Sequence, residues 1–246
     1  MAGESWQDEK LVGAYLTGIR GGIPLAQEQV DVVLRLIRHN GLPVRHFLDL
    51  GCGDGFLGGM VLERFPAASG VFIDFSEPML EEARQRLSPF ESRCQVCAAD
   101  LSRPDWRDAL HGPRRFDVVL SGFAIHHLTD ERKRDLYSEV LELLNPGAFF
   151  FNVDLVSSPT EWLRSAFDEL LTDSLFEHQR SQGHEVTREQ IAEEYVHAAD
   201  REEDILASIE EQCAWLRELG FEDVDCYFKL FELAVIGGRR SGKLGG

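Results

Sequence analysis

Three carboxylates recur at the ends of apolar runs in the first half of the chain: Asp49, Asp74 and Asp100. The first sits inside Phe47-Leu-Asp-Leu-Gly-Cys-Gly-Asp-Gly-Phe56, where Gly51, Gly53 and Gly55 are spaced two apart. Glycines at such a turn let the backbone approach a ligand closely and adopt conformations closed to other residues. This is not the G-x-G-x-x-G spacing that aims a helix N-terminus at a pyrophosphate, and nothing nearby is made for phosphate. Asp74 closes Val71-Phe-Ile-Asp74 about twenty residues later, where an acid can accept hydrogen bonds from both hydroxyls of a ribose. A helix N-cap or turn acid is the competing reading for Asp74 and Asp100.

Proton chemistry near neutral pH points to histidine. His126 and His127 stand together in Gly122-Phe-Ala-Ile-His-His-Leu128, and a second group, His178, His184, Tyr195 and His197, lies further on with Asp173 and Glu177. Each member of the second group taken singly reads equally as a solvated helix-face residue. Its spacing matches no familiar ligand pattern, so no metal is expected. The five cysteines are odd in number and irregularly spaced, which argues for free thiols. Cys94-Gln-Val-Cys97 has redox or zinc spacing, but no second pair completes a site.

The elements that must position these groups alternate. Strand-length apolar runs cover 47–50, 70–74, 94–98, 116–120 and 148–155, and helical patterns over 57–65, 78–87 and 131–144 separate most of them. Nearly continuous apolar strands between helices mean an α/β fold with a parallel sheet covered on both faces. The three acids then fall at successive carboxyl ends of strands, where ligands bind in open α/β sheets. Residues 1–45 read as helical, broken at Gly21-Gly22-Ile23-Pro24, with Asn40-Gly41 ending the second helix. Residues 160–219 are helical in pattern and strongly acidic. Two short runs, 222–228 and 230–236, are too close to be anything but an antiparallel pair. The Gly-rich end, 237–246, is expected to fray.

The chain has 246 residues, 43% hydrophobic and 28% charged, ordinary for one large domain. No run reaches the length of a membrane helix, and residues 1–10 are polar without secretory features, so a cytoplasmic location is expected. The formal charge of −18, with basic residues mostly alternating with acids, argues against a nucleic-acid partner and for a small-molecule substrate.

Four segments in order, Leu48-Asp-Leu-Gly-Cys-Gly-Asp-Gly55, Ile73-Asp-Phe-Ser-Glu-Pro-Met-Leu80, Ala98-Ala-Asp-Leu101 and Phe116-Asp-Val-Val-Leu-Ser121, resemble the motifs of class I S-adenosylmethionine-dependent methyltransferases over about 47–156. The resemblance implies a Rossmann-like sheet of seven strands, mostly parallel with an antiparallel last strand and helices on both faces. It divides the single domain into N-terminal helices (1–45), a cofactor-binding core (46–156), a helical lid or insertion (157–219) and a closing strand pair (220–238). The implied cofactor is S-adenosyl-L-methionine. Asp49, Gly51 and Gly53 would line its methionine part, and Asp74 would take the ribose hydroxyls. Phe75 and Met79 would flank the adenine, with core packing as the alternative for both. Asp100 would accept from the adenine amino group beside Leu101, and Ser121 and Phe123 would floor the site near the sulfonium.

Gly18-Ile-Arg20 followed by Ile23-Pro24 resembles the N-terminal segment of the wobble-uridine tRNA-modification branch and its small-molecule relatives. There Tyr15 or Arg20 would meet the cofactor carboxylate, a solvated arginine being the alternative. His126 and His127 sit in a His-His-Leu run similar to that of many class I enzymes, so a structural role competes with a catalytic one. His184 and Tyr195 would act from the lid. Trp162, Phe167, Phe176 and Trp215 are expected to pack the insertion on the sheet. The expected activity is methyl transfer to an O, N or C acceptor under the lid, by a monomer or homodimer. The alternatives are a tRNA- or protein-directed enzyme, a non-catalytic cofactor-binding subunit, and an enzyme that modifies the cofactor's methyl group without transferring it.

Overall fold

The apolar runs pair into a single sheet whose inner strands are buried on both sides and whose two edge strands are only partly buried. In the computed structural model, which describes residues 4–112, 115–196, 201 and 204–242, the strands are β1 (His46–Leu50), β2 (Ser69–Asp74), β3 (Cys94–Ala98), β4 (Phe116–Gly122), β5 (Leu144–Leu155), β6 (Glu222–Leu230) and β7 (Leu233–Arg239). They form one seven-stranded sheet in the order β3-β2-β1-β4-β5-β7-β6. The pairings β1–β2, β1–β4, β2–β3 and β4–β5 are parallel, and β7 alone runs against its neighbours β5 and β6. The chain winds outward through β2 and β3, then crosses to β4 on the other side of β1. That reversal opens a crevice beyond the carboxyl ends of β1 and β4.

Alternate residues of each strand feed the two faces. Phe47, Phe72, Val118 and Leu120 pack beneath α2 (Ala26–His39), α3 (Phe56–Arg64) and α4 (Glu77–Arg86). Leu48, Ile73, Val119 and Phe150 pack beneath α5 (Asp130–Leu143) and α7 (Ile209–Leu219). The fold expected from the sequence is therefore the fold observed. The α7 helix starts at a capping box made by Ser208 and Glu211 and stops at Gly220 in the left-handed region, which fixes its position on the sheet. It belongs to the sheet's helical layer, so only part of 157–219 lies over the crevice.

Three local expectations differ from the structure. The β5 strand begins at Leu144, immediately after α5, and carries Pro146 through an irregularity in its pairing with β4 where a ladder donor is not required. Gly237 and Gly238 do not fray. They are buried in β7, where a Cβ on Gly237 would collide with the Phe150 carbonyl. Trp162 does not pack on the sheet: it is 78% exposed at the start of α6 (Glu161–Ser181), whereas Phe167 on the same helix is fully buried.

The N-terminal segment folds back over the crevice. A short turn at Glu4–Gln7 leads into α1 (Glu9–Ala14) and a wide turn at Tyr15–Ile19. The Ser76 hydroxyl donates to the Trp6 carbonyl at 2.5 Å, and the Gln7 amide donates to the Phe75 carbonyl at 2.8 Å. From the other side, the Ser174 hydroxyl on α6 donates to the Gly22 carbonyl at 2.7 Å. Gly22 is glycine because a Cβ would press on Leu175 at 2.8 Å. No described helix is long and apolar enough to cross a membrane.

Candidate active site

The loop after β1 is held by its neighbour. Cys52 N–H donates to the Ile73 carbonyl and Gly53 N–H to Asp74 Oδ2, both at 2.8 Å. Gly51, Gly53 and Gly55 all have positive φ, at 61°, 52° and 77°. Their surroundings differ. A Cβ on Gly51 would strike the Ala124 methyl, so Gly51 lets β4's exit pack close, while Gly53 faces open space with only Met79 Sδ nearby, at 3.9 Å.

Asp49 lies fully buried beneath this loop. Its Oδ2 accepts from Gly58 N–H at 2.9 Å, and its Oδ1 has no partner. Burial pushes its carboxyl up to about 8, Gly58's hydrogen bond pulls it back, and Asp74 pushes it further up. A buried carboxylate oxygen without a donor is costly, and a ligand cation would satisfy it. That orphaned oxygen fits the ammonium of S-adenosylmethionine. Gly58 is required for the arrangement, since its Cβ would lie 2.7 Å from Asp49 Oδ2.

Asp74 also braces α4's start, with Ser76 N–H donating to its Oδ1 at 2.9 Å, while burial raises its carboxyl. The turn-acid reading therefore holds for Asp74, and the same residue lines the cavity. Asp100 accepts from Ser102 N–H at 2.9 Å. Next to it, the Leu101 carbonyl takes Arg132 Nε at 2.7 Å, and Arg132 is held by both oxygens of Glu139.

Past β4 the chain turns sharply. Phe123 has φ 53°, a conformation uncommon for a bulky residue, pinned by its N–H to the Val153 carbonyl at 2.8 Å. The turn Ile125–His127 follows. His126 Nδ1 meets Asp154 Oδ1 at 2.5 Å, and the His126 backbone N–H donates to Asp154 Oδ2 at 3.0 Å. On the opposite side, Asp204 Oδ1 lies 3.4 Å from His126 Nε2 and 3.2 Å from His127 Nδ1. Burial disfavours the His126 imidazolium, but Asp154 and Asp204 outweigh it and raise its basicity. Burial and the neighbouring His126 depress His127. Burial also opposes ionisation of Asp204, yet the two histidines hold it below its ordinary value. The Asp204 segment is clamped: Ile205 N–H donates to the His126 carbonyl at 2.9 Å, and buried Lys133 reaches the Ile205 carbonyl.

Of the residues singled out in the sequence, Tyr15, Gly51, Gly53, Asp74, Phe75, Met79, Asp100, Leu101, Phe123, His126 and His127 line one cavity, whereas Asp49 is fully buried and is not part of its lining. Ser121 does not reach it; its hydroxyl is turned into the sheet, donating to the Leu50 carbonyl at 2.7 Å. Arg20 is ion-paired with Asp54 and lies 4.3 Å over the Phe56 ring, away from the lining. His184 is exposed and bonded to Gln179. The side chain of Tyr195, and His197 entirely, lie outside the described residues. The sequence reading missed Trp6, Asp154 and Asp204. Trp6 meets the Tyr15 ring edge-on at 5.2 Å and tilts over His127 at 6.2 Å. Asp154 had a signal, because it lies at the carboxyl end of β5, as Asp49 and Asp74 lie at those of β1 and β2. Asp204 was hidden in a run of charges.

Residues 47–147 match the model of a methyltransferase domain. Over 230 residues the chain is 25% identical to a carboxy-S-adenosyl-L-methionine synthase of Aeromonas hydrophila, covering 91% of this chain and 86% of that one. It is 31% identical to a trans-aconitate 2-methyltransferase of Escherichia coli over 134 residues, covering 54% and 46% of the two chains. Among solved structures, an O-methyltransferase family protein from Burkholderia thailandensis superimposes with TM-score 0.63 at 18% identity, covering 94% of this chain and 58% of that one. The carbon methyltransferase CurJ superimposes with TM-score 0.64 at 16% identity, covering 97% and 60%. The chain thus spans about six-tenths of those two solved chains.

Proposed function

We propose that this chain, a class I S-adenosylmethionine-dependent methyltransferase, acts on a small molecule with one polar end. The observation that carries the reading is the cavity itself. Its lining combines the apolar side chains of Ile19, Ile23, Phe167 and Leu171 with a polar group at His126, His127 and Asp204, apart from the polar residues Asp74, Ser76, Asp100 and Ser102 that close or follow β2 and β3. An acceptor that fits would bury an apolar body against the first set and present its nucleophile to the histidines and Asp204. S-adenosylmethionine, when bound, supplies a methyl group already activated on a sulfonium.

The protein's own contribution is then positioning and exclusion of water. In this reading Asp49 Oδ1 takes the cofactor's ammonium and Gly53 permits its close approach. Asp74 holds the ribose hydroxyls, Phe75 and Met79 border the adenine, and Asp100 takes its amino group. Phe123 and Tyr15 flank the reacting centre, and His126 and His127 engage the nucleophile. The small-molecule reading is tested by incubating the full chain with methyl-labelled cofactor and three acceptor pools: small hydroxyl, enol and amine metabolites, bulk tRNA, and protein. Label in the first pool is expected. Label confined to tRNA or protein would overturn the reading, and the charge of −18 argues against the former.

A second reading rests on the end-to-end likeness to a carboxy-S-adenosyl-L-methionine synthase. In it the cofactor's methyl group is itself modified, and Arg201, which lines the cavity and is ion-paired with Asp168 and Glu232, is the cation beside a newly acquired carboxylate. Mass spectrometry of the recovered cofactor separates the two readings, since transfer leaves S-adenosylhomocysteine and modification leaves a heavier sulfonium.

A further inference from the structure

The polar end of the cavity has the composition and spacing of a metal centre. His126 Nε2, His127 Nδ1 and an Asp204 carboxylate oxygen supply three donor atoms, all within 4.8 Å of one another. Two imidazoles and one carboxylate are a ligand set for a divalent transition metal. The separations from Asp204 Oδ1, 3.4 Å to His126 Nε2 and 3.2 Å to His127 Nδ1, are long for charged hydrogen bonds. They match the edge of a tetrahedron around zinc, which is about 3.4 Å for metal–ligand bonds of about 2.1 Å. His127 Nδ1 is buried and meets no hydrogen-bond geometry, despite its closeness to Asp204.

The outer layer of such a centre is also present. A metal-bound histidine ordinarily gives its other ring nitrogen to a carboxylate, and His126 Nδ1 meets Asp154 Oδ1 at 2.5 Å. Asp154 is itself held by the His126 backbone N–H and by Asn152 Nδ2 at 3.2 Å. The His126 and Asp204 side chains are only 6% and 9% exposed, so this is not a solvated surface cluster. All three residues line the cavity that also contains Gly53, Asp74 and Phe123, so an ion held by them would have a face toward that cavity.

We infer that His126, His127 and Asp204 bind one zinc-class divalent ion, whose open position holds an oxygen of the acceptor. The inference rests on the proposed function for the acceptor but not for the ion. With the ion in place the imidazoles are ligands rather than bases. The ion then orients the acceptor's hydroxyl, enol or carboxyl oxygen and stabilises its anionic form.

The test uses the full chain after chelator treatment, titrated with Zn²⁺ by calorimetry and with Co²⁺ by visible absorption. One Zn²⁺ per chain is expected, with a Co²⁺ spectrum free of strong thiolate charge-transfer bands. Affinity should fall at least about tenfold in Asp204→Asn and in His127→Gln. S-adenosylhomocysteine binding by the same preparations reports that each is folded. Wild-type protein that binds S-adenosylhomocysteine but not millimolar Zn²⁺ overturns the metal site and leaves the methyltransferase reading intact. A metal affinity indifferent to both substitutions overturns it too, as does a thiolate-type spectrum, which would put the ion at free cysteines such as Cys94 and Cys97. Failure of the wild type to bind S-adenosylhomocysteine counts against the cofactor reading alone.

Discussion

Cofactor binding should expel a proton from Asp49. In the free protein this carboxyl is buried, has one oxygen without a partner, and is pushed up to about 8. At pH 7 a group with that value is about nine-tenths protonated. An ammonium brought to Oδ1 favours the carboxylate, so the proton must leave as the cofactor arrives. The expected release is about 0.9 proton per molecule bound at pH 7. Ionising the group at pH 7 costs about 1.4 kcal/mol, so affinity should rise roughly tenfold from pH 6 to pH 7.

The assay is calorimetric titration with S-adenosylhomocysteine at pH 7 in two buffers of contrasting ionisation enthalpy. The difference in observed heat gives the protons released. Asp49→Asn cannot ionise, so its release should vanish and its affinity should drop by roughly 1.5–3 kcal/mol, the range for hydrogen bonds to charged groups. The sign for stability runs the other way. The native state keeps a proton that the unfolded chain loses above about pH 4, so the free protein's stability declines as pH rises from about 4 to about 8. Asp49→Asn should therefore melt higher than wild type at pH 8 without ligand. A wild type that binds S-adenosylhomocysteine with no proton release at pH 7, or a variant that releases as much, would refute the assignment of the ammonium to Asp49.

Asp74→Ala should weaken cofactor binding by roughly 1–3 kcal/mol through unpaired ribose donors, measured by calorimetry on folded protein. Because the same carboxylate braces Gly53 and Ser76, its free-protein Tm should fall as well, and a drop in Tm with unchanged affinity would leave it only the bracing role. Gly58→Ala should cost both stability and cofactor affinity, since its Cβ displaces Asp49 Oδ2; thermal melts with and without S-adenosylhomocysteine check this. Trp6→Ala removes contacts worth about 0.5–1.5 kcal/mol to Tyr15 and speeds cofactor release, read by stopped-flow displacement. Correspondingly, hydrogen exchange across 6–23 should slow on adding S-adenosylhomocysteine.

What was legible in the sequence was what short-range chemistry controls. The strands of the parallel core declared themselves by apolar runs, and the acids at their carboxyl ends by position, because each strand places its last residue at the crevice whatever the rest of the chain does. The half of the site contributed by distant segments had no such rule behind it. Asp204 reaches His127 only because Lys133 and the His126 carbonyl hold residue 205 across a gap of more than seventy positions, and no local period reports that. Ser121 misled for a related reason. Alternation along β4 sends its side chain toward Leu50. The turn needed to face the cavity comes two residues later, at Phe123, in a backbone conformation that its residue type gives no reason to expect. Glycine was more informative than it first looked, provided its neighbour is known: of Gly51 and Gly53, both in the cavity lining, Gly53 leaves its side open, while Gly51 admits Ala124. A motif can fix which positions must be small, then, without telling whether the space is kept for a ligand or for another part of the chain.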